Sequence, residues 1–498
     1  MLPDIIEGEK MAKKTREEVL ANTIQRFKEK GLILPTYEQM RNPELVPQKI
    51  KNELKNIGLW DFNPLNLFRL TWKNDPETGE FGKVNYFELP TELTGVKARI
   101  FVLTGKYFPT GAHKVGATFG PLVEKLINGT FDPTTQKALW PSTGNYCRGG
   151  AYDSKLLGCD AIAILPEDMS QERFEWLKET GAEIFATHGS ESNVKEIYDK
   201  VKELMAERGD EVVNLNQFAE IGNPLWHYAV TGPAMEEVFG YHKDEKSRFA
   251  GVFLTQGSAG TLGSAEYLKT VFPNMKLGVG EAVQCPTLLM NGYGAHRIEG
   301  IGDKHVPWVH NIKTMDLVAG IDDEPNMHIM RLFNEPEGHK YLLKKGVKQE
   351  VIDKLHLLGI SGIANVMGAI KQAKYYELDE NDFMFTIGTD SMEMYQSRLK
   401  EEQERLGDFT EEVAAMTYYG DLMGLKTDYI IEPTYVEKKR MHNLKYFTWI
   451  EQQGKEVEEL DAQWYDREYW TREWHKADEW DAKIKEFNAK TGVEKKFL

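Results

Sequence analysis

Short buried strands alternate with amphipathic helices through the middle of this sequence, and this alternation constrains the fold more than any other feature. Residues 159–166, CDAIAILP, predict a buried strand, and the helix QERFEWLKET follows it, with Ser170 as its cap and Gly181 at its end. The segment AEIFATHG then predicts another strand. A strand, a helix and a strand in this order form a βαβ unit with parallel strands. The sequence therefore predicts an α/β protein built on parallel sheets.

The same arrangement recurs on both sides of this unit. Residues 98–103, ARIFVL, predict a strand that precedes the helix HKVGATFGPLVEKLI, and the strand GVFLTQ at 251–256 precedes a glycine-rich turn and a helix. Residues 276–284 and 382–389 predict further buried strands.

The two ends of the chain differ from the middle, because they are highly charged and their apolar residues follow mainly a helical pattern. Thr15 is predicted to cap an amphipathic helix that ends at Gly31. From about residue 400 the sequence is charged and rich in Trp, as in 463–487. We interpret this region as a helical extension whose Trp side chains pack onto the main body.

Composition excludes several classes of function. The formal net charge of −17 and the pI of about 5.3 disfavour nucleic acid as a partner. Cys147, Cys159 and Cys285 are odd in number and match no zinc spacing, so we expect neither disulfides nor a metal site. The N-terminus lacks a signal-peptide pattern, and no apolar run is long enough to cross a bilayer, so we expect a cytoplasmic protein without membrane contact.

One lysine lies in a position that suits covalent chemistry. The segment PTGAHK, residues 109–114, places Lys114 after a strand and a glycine turn, at the start of an apolar helix. A partly desolvated lysine has a lowered pKa and acts as a nucleophile toward aldehydes. Most lysines are solvated, so this segment alone indicates little.

Two turns before predicted helices are candidate anion sites. STGN, residues 142–145, offers backbone N–H groups and hydroxyls that suit a carboxylate, although an ordinary helix cap has the same pattern. GSAGT, residues 257–261, lies between a buried strand and a helix and suits a phosphate. Its glycine spacing is not GxGxxG, so a phosphate-bearing cofactor fits better than NAD.

A fourth segment, GTDS at 388–391, follows a buried strand at the sheet edge where α/β proteins bind ligands. The hydroxyl of Ser391 can bond the ring nitrogen of a heterocycle, or it can cap the helix MEMYQSRL. Lysine, carboxylate turn, phosphate turn and hydroxyl together are the parts that a pyridoxal phosphate site needs.

With these segments, the chain resembles the fold type II, or β-family, of pyridoxal phosphate-dependent enzymes, most closely cysteine synthase and cystathionine β-synthase. PTGAHK itself is similar to the lysine segment of the tryptophan synthase β chain. The likeness covers about residues 90–400 and includes 164–184, 216–238, 296–307 and 358–369. The resemblance implies two parallel-sheet α/β domains of the tryptophan synthase β and cysteine synthase type, with helical N- and C-terminal extensions.

The resemblance also implies a division of the chain and an assembly. We expect a large cofactor-binding domain from 91–140 and 237–400, and a small mobile domain at 141–236 that closes over the substrate. The extensions are then 1–90 and 401–498. Members of this family are commonly homodimers.

Individual residues receive roles from the resemblance. Lys114 forms a Schiff base with the cofactor and then moves the α-proton. Asn145 bonds the cofactor's phenolic oxygen, and Ser391 meets its pyridine nitrogen. The residues of the phosphate turn are Gly257, Ser258, Ala259, Gly260 and Thr261. The residues that hold the substrate carboxylate are Ser142, Thr143, Gly144 and Gln217.

Departures from the family pattern concern the substrate. Tyr146, Cys147 and Arg148 follow Asn145, where the family usually has a small residue and Gly. Arg148 is interpreted either as the partner of a second acidic group on the substrate or as a surface residue. Tyr146 is interpreted as an acid or lid for the leaving group, or as a wall of the pocket.

The sequence thus predicts a pyridoxal phosphate-dependent α,β-elimination or β-replacement on a small amino acid: cysteine, serine or an O-activated serine. One alternative is a serine or threonine ammonia-lyase, which uses the same cofactor site. Another is a catalytically silent binding protein with this fold, although the intact Lys114 argues against it. A neutral hydroxyl at the ring nitrogen favours prompt loss of a β-leaving group, an argument that weakens if Asp390 is the partner instead.

Overall fold

Eleven strands form the framework of the described part of the chain. The computed structural model describes residues 14–142, 144–189 and 193–497. The strands are β1 (Tyr86–Leu89), β2 (Arg99–Thr104), β3 (Lys137–Pro141), β4 (Asp160–Pro166), β5 (Glu183–Thr187), β6 (Val212–Asn214), β7 (Arg248–Thr255), β8 (Lys276–Ala282), β9 (Leu317–Ile321), β10 (Asp382–Gly388) and β11 (Ile430–Ile431).

These strands form two sheets. The larger has the order β1-β2-β10-β7-β8-β9-β11, and the smaller has the order β5-β4-β3-β6. All pairs of the smaller sheet are parallel, whereas the larger sheet is parallel except at its edges, where β1 and β11 pair antiparallel. The prediction of parallel α/β sheets is therefore confirmed. The extensions, expected to be helical, each also add one edge strand.

Helices cover both sheets and make up most of the extensions. The α-helices are α1 (Arg16–Lys30), α2 (Tyr37–Arg41), α3 (Gln48–Leu54), α4 (Thr91–Thr94), α5 (Lys114–Ile127), α6 (Asn145–Leu156), α7 (Gln171–Thr180), α8 (Val194–Arg208), α9 (Gly222–Trp226), α10 (Gly232–His242), α11 (Leu262–Val271), α12 (Thr287–Met290), α13 (Asp323–Asn334), α14 (Pro336–Lys344), α15 (Gln349–Ile352), α16 (Ile360–Tyr375), α17 (Gln396–Leu406), α18 (Glu411–Met416), α19 (Tyr435–Asn443), α20 (Val457–Tyr465) and α21 (Tyr469–Thr491). Of the helices that the structure describes, none is both long enough and apolar enough to span a membrane.

The predicted caps agree with the structure in part. Thr15 caps α1 through a capping box, and Gly31 ends that helix in the left-handed conformation. Ser170 occupies the N-cap position of α7, but its side chain makes no capping hydrogen bond, so that detail of the prediction is wrong. The helix predicted over MEMYQSRL begins instead as a 3₁₀ turn at Met392–Met394, and α17 starts only at Gln396.

The terminal extensions pack together and onto helix α5. Trp470, Trp474 and Trp480 of α21 are buried in the same apolar core as Phe119 of α5, as the sequence predicts. Phe27 of α1 meets Phe487 of α21 edge to face, with ring centroids 5.0 Å apart. The C-terminal helix therefore joins the N-terminal extension to the body.

Buried polar groups fix this junction. The side chain of Asn488 accepts a hydrogen bond from Leu34 N at 3.1 Å and donates one to Leu34 O at 2.8 Å. The carboxylate of Asp481 accepts from the backbone N–H groups of Tyr37 and Glu38, at the start of α2. These bonds satisfy backbone groups that burial would otherwise leave without partners.

We predict that Asn488→Ala lowers the free energy of unfolding by about 2–4 kcal/mol, because it leaves a buried N–H and a buried C=O unpaired. Chemical denaturation of the purified variant measures this change. Asn52→Ala, at an exposed site in α3, is the control and should stay within about 0.5 kcal/mol of the parent. Equal stability of the two variants would contradict the prediction.

Candidate active site

The ends of three parallel strands meet at one cleft between the two sheets. Strands β3, β7 and β10 end just before residues 142, 257 and 389, and all three of these positions line the cleft. The residues that line it are Lys114, Ser142, Asn145, Tyr146, Arg173, Val194, Gln217, Phe218, Gly257, Ser258, Gly300, Gly302 and Thr389.

Lys114 is the first residue of α5, and its side chain reaches across to the predicted phosphate turn. The Nζ atom donates a hydrogen bond to Ser258 Oγ at 3.0 Å. Asn223 Nδ2 donates to the same hydroxyl at 3.0 Å and to the backbone oxygen of Gln217 at 2.8 Å. The structure therefore brings together the amine, the phosphate turn and the segment of Gln217, three features that the sequence predicted separately.

The turn at 257–261 has the geometry of a backbone cradle. Ala259 adopts a positive φ of 62°, a left-handed conformation that helps backbone N–H groups converge on one point. At Gly260, an added Cβ would lie 2.2 Å from Asn223 Oδ1, so a larger residue would displace the side chain that holds Ser258. Thr261 occupies the N-cap position of α11, and the start of that helix adds its dipole to the cradle.

The predicted carboxylate turn lies directly before α6. Gly144 N donates to Ser142 Oγ at 3.1 Å, and Gly144 packs so tightly on Arg173 that a Cβ would lie 2.3 Å from its Nη1 atom. Thr143 lies outside the described residues. Ser142 and Gln217 both line the cleft and are nearly fully buried.

Asn145 is held at both ends of its amide. Its Nδ2 atom donates to Asp390 Oδ2 at 2.6 Å, and its Oδ1 atom accepts from Arg148 Nη1 at 3.0 Å. Arg148 also donates to Thr110 O and lies over the ring of Trp176. Arg148 is thus buried behind Asn145 and is not a surface residue. It does not itself line the cleft, so its suggested contact with substrate stays a prediction.

The three residues that follow β10 have different surroundings. Thr389 lines the cleft, and its Oγ1 lies 3.3 Å from His113 Nε2. Asp390 accepts from Asn145 and from Tyr395 Oη at 2.7 Å, so it belongs to a network of side chains. Ser391 is buried beside them and makes no capping hydrogen bond to the turn that follows. The alternative of Ser391 as a helix cap is therefore wrong.

Arg173 is a component of the site that the sequence analysis missed. It lines the cleft with no exposed side-chain surface, its Nη1 atom pairs with Glu299 Oε2 at 3.0 Å, and its Nη2 atom donates to Tyr395 Oη at 2.8 Å. Arg398 pairs with the same Glu299 at 2.6 Å. The only sequence signal is an arginine on the inward face of the helix QERFEWLKET.

Burial governs the protonation of these groups. Burial raises the pKa of Asp390, and the guanidinium of Arg173 and the hydrogen bonds from Asn145 and Tyr395 oppose the shift. Burial also raises the pKa of Tyr146 well above its ordinary value, so its hydroxyl stays protonated. Burial, with Lys114 nearby, lowers the pKa of His113 well below its usual range, so that imidazole is neutral.

With this geometry established, comparison with known proteins identifies the family. Residues 79–339 match the family model described as pyridoxal-phosphate dependent enzyme. The chain belongs to this family. The amine that contacts a phosphate-type turn is the arrangement that such an enzyme needs, and the resemblance seen in the sequence is confirmed.

Two enzymes are similar to this chain over more than half of its length. The chain is 31% identical over 258 residues to cysteine synthase of Staphylococcus aureus, which covers 52% of this chain and 74% of that protein. It is 26% identical over 329 residues to cystathionine beta-synthase of Saccharomyces cerevisiae, covering 64% and 60%.

Solved structures show the same fold. A hydrogen sulfide-producing enzyme of Fusobacterium nucleatum matches with a TM-score of 0.53 and 22% identity, over 62% of this chain and 95% of that one. The O-acetylserine dependent cystathionine beta-synthase of Helicobacter pylori matches with a TM-score of 0.53 and 23% identity, over 64% and 95%.

The residues of the cleft fit the cofactor that the family uses. The Lys114 amine suits an aldehyde, and the turn at 257–261 offers N–H groups and hydroxyls to a phosphate. Ser258, whose hydroxyl contacts both the Lys114 amine and Asn223 Nδ2, is nearly fully buried in the wall of the cleft. The chemistry of the donor set thus agrees with pyridoxal phosphate.

A buried acid beside the cleft, Asp303, makes the stability of the protein depend on pH. Asp303 follows Gly302, accepts from His305 N through Oδ1, and has no partner for Oδ2 in the described structure. Burial raises its pKa to about 7 from an ordinary value of 3.8. The stability that protonated Asp303 contributes is therefore full below about pH 4 and is lost as the pH rises through 7.

Asp303→Asn removes this titration and can keep the bond to His305 N. We predict that raising the pH from 4 to 8 increases the stability of the variant relative to the parent by about 2–4 kcal/mol. Denaturation curves at the two pH values measure it. A parent and variant whose stabilities run parallel across this range would refute it.

Proposed function

We propose that the protein catalyses α,β-elimination or β-replacement on a small β-substituted L-amino acid, with cysteine, serine or an O-activated serine as the substrate class. The contact of Lys114 with Ser258 carries the proposal, because it puts a nucleophilic amine within reach of an aldehyde whose phosphate lies in the turn. The similarity to cysteine synthase and to a hydrogen sulfide-producing enzyme supports the reaction class.

Lys114 is the residue that handles protons in this proposal. Bound pyridoxal phosphate supplies the electron sink for the bond broken at the α-carbon. With the cofactor bound, the Nζ amine of Lys114 would take the α-proton of the substrate and later return one. Its position at the start of α5, with Nζ 3.0 Å from Ser258 Oγ beside the turn proposed to bind the phosphate, supports this role.

Residues of the carboxylate turn orient the substrate. Ser142 and Gln217 line the cleft, and Gly144 N donates to Ser142 Oγ. We propose that these three residues and Thr143 bind the α-carboxylate. The Arg173 guanidinium packs against Gly144 and adds positive potential at this point. Asn145, fixed by Asp390 and Arg148, then faces the cofactor's phenolic oxygen.

Ser391 is proposed as the partner of the pyridine nitrogen. The structure engages Asp390 elsewhere, with Asn145 and Tyr395, which supports a neutral hydroxyl over a carboxylate at this position. A neutral partner leaves the ring a weaker electron sink, and prompt loss of a β-substituent is then favoured over transamination.

The proposal also includes an oligomeric state and a mobile domain. We infer a homodimer in the cytoplasm that acts on a small-molecule amino acid. Residues 141–236 form the mobile domain that closes over the substrate. Strand β3 belongs to the smaller sheet of this domain and starts at Lys137, four residues before the proposed boundary. Sedimentation velocity of the purified protein measures the assembly.

Lys114→Ala is predicted to abolish turnover and the absorbance band of the lysine-bound cofactor, with a loss of at least about a thousandfold in kcat. Lys178→Ala, at an exposed site in α7, is the matched control and should keep both. Assays of sulfide, ammonia and keto acid with a panel of amino acids identify the reaction. Turnover of serine or threonine to keto acid and ammonia, with no turnover of cysteine or O-activated serine, would favour the ammonia-lyase. Protein that stays colourless with added cofactor would favour a silent binding protein.

Gln217→Ala is predicted to raise the KM for the amino acid about tenfold or more while changing cofactor affinity little, because one charge-assisted hydrogen bond to the carboxylate is lost. Steady-state kinetics and a cofactor titration measure the two effects. An unchanged KM would remove Gln217 from the proposed carboxylate site.

A further inference from the structure

Residues 300–310, which lead away from the cleft, form neither helix nor strand. We name them the glycine loop, because Gly300 and Gly302 at its start line the cleft. Gly302 N donates to Gln256 O at 2.6 Å, which ties this start to the residue after β7. Buried backbone groups without helix or strand partners need hydrogen bonds from elsewhere. In the second half of the loop, side chains of the C-terminal extension supply them.

Lys445 of the extension binds two carbonyl groups of the glycine loop. Its Nζ atom donates to Trp308 O at 2.9 Å and to His310 O at 2.7 Å, and a third bond goes to Gln463 Oε1 of α20 at 2.7 Å. The Lys445 side chain is fully buried. Burial lowers the pKa of its amine, and the carboxylate of Glu459 opposes this shift. Carbonyl oxygens thus occupy the three donor positions of the ammonium, two of them in the loop.

Trp449 of the extension makes a further contact with the loop. Its Nε1 atom donates to Val306 O at 2.8 Å. Its ring packs beside Trp308, with centroids 6.2 Å apart, and beside Tyr198 of α8, with centroids 6.3 Å apart. Tyr198 meets the ring of Phe218 edge to face at 6.3 Å, and Phe218 lines the cleft. A continuous chain of aromatic rings therefore connects the extension with the wall of the cleft.

The loop also bonds to the segment that contains Gln217. Val309 N donates to Phe218 O at 3.3 Å. Val309 lies between the two residues whose carbonyl oxygens Lys445 binds. A displacement of this part of the loop is therefore passed to Phe218 and to Gln217, the residue before it.

We propose that Lys445 and Trp449 are positioning residues of the active site, through which the C-terminal extension holds the glycine loop and, with it, Gln217. The inference rests on the proposed role of Gln217 in binding the substrate carboxylate. Side chains that bind substrate need a supporting layer of hydrogen-bonded residues to keep them within about 0.5 Å of the productive geometry. Both positioning residues lie outside 79–339, the residues that match the family model, so this support is additional to the matched part of the chain.

Lys445→Met removes the three donors and keeps an unbranched side chain. We expect the KM for the amino acid to rise about fivefold or more, because Gln217 is displaced, while the affinity for the cofactor stays within about twofold, because the contact of Lys114 with Ser258 remains. A second readout needs no turnover: the affinity for L-alanine, which has no β-leaving group, is measured by the change in cofactor absorbance and should fall by the same factor.

Three further variants separate positioning from stability. Trp449→Phe loses the bond to Val306 and keeps an aromatic ring, so it should change both readouts in the same direction by about twofold or more; it decides the question if Lys445→Met does not fold. Asn488→Ala breaks the junction of α21 with the N-terminal extension and should lower stability without changing KM or the affinity for L-alanine. Lys490→Met, exposed on α21, should change neither stability nor KM.

The proposal is overturned if KM and the affinity for L-alanine keep their parent values in the Lys445 and Trp449 variants. It is also overturned if Asn488→Ala changes them equally, or if the affinity for the cofactor falls in place of the affinity for the amino acid. Failure of the proposed function has a different signature, since it appears as absent turnover in the parent protein.

Discussion

Lys114 and Ser258 meet across a sequence separation of 144 residues, and the architecture of the site depends on this contact. The lysine begins the helix that comes after strand β2 of the larger sheet, while the serine lies in a turn between the central strand β7 and helix α11. Asn223 holds the same hydroxyl and also the backbone of Gln217. One hydroxyl thus links the amine, the turn at 257–261 and, through Asn223, the segment of Gln217.

Buried charge is the second constraint. Arg173, Glu299 and Arg398 form a chain of ion pairs beneath the carboxylate turn, and Tyr395 links it to Asp390 and so to Asn145. Removing one member of a buried ion pair costs about 3–5 kcal/mol because the other charge is left without a partner. In the described structure this network links the two sheets, and Asp390 and Arg148 hold the two ends of the Asn145 amide.

The sequence predicted the parts of the fold that periodicity and turn residues specify. Strands β4, β7, β8 and β10 and helices α1 and α5 appear where their apolar patterns and glycines place them. Strand β11 was not predicted, because two residues carry no periodic signal and their pairing depends on β9. Arg173 was not identified, because a buried ion pair between distant segments leaves no local pattern. The roles of the individual site residues stay predictions.

Helix α21 connects to α1 and to the segment around Leu34, 454 residues away in sequence. A ribosome releases the segment around Leu34 long before α21, so the apolar face of α1 lacks this partner while the residues between them are being synthesised. The core domains can fold earlier, since their strands pair among themselves. The apolar surface of α1 that Phe487 covers therefore stays exposed until α21 has been synthesised.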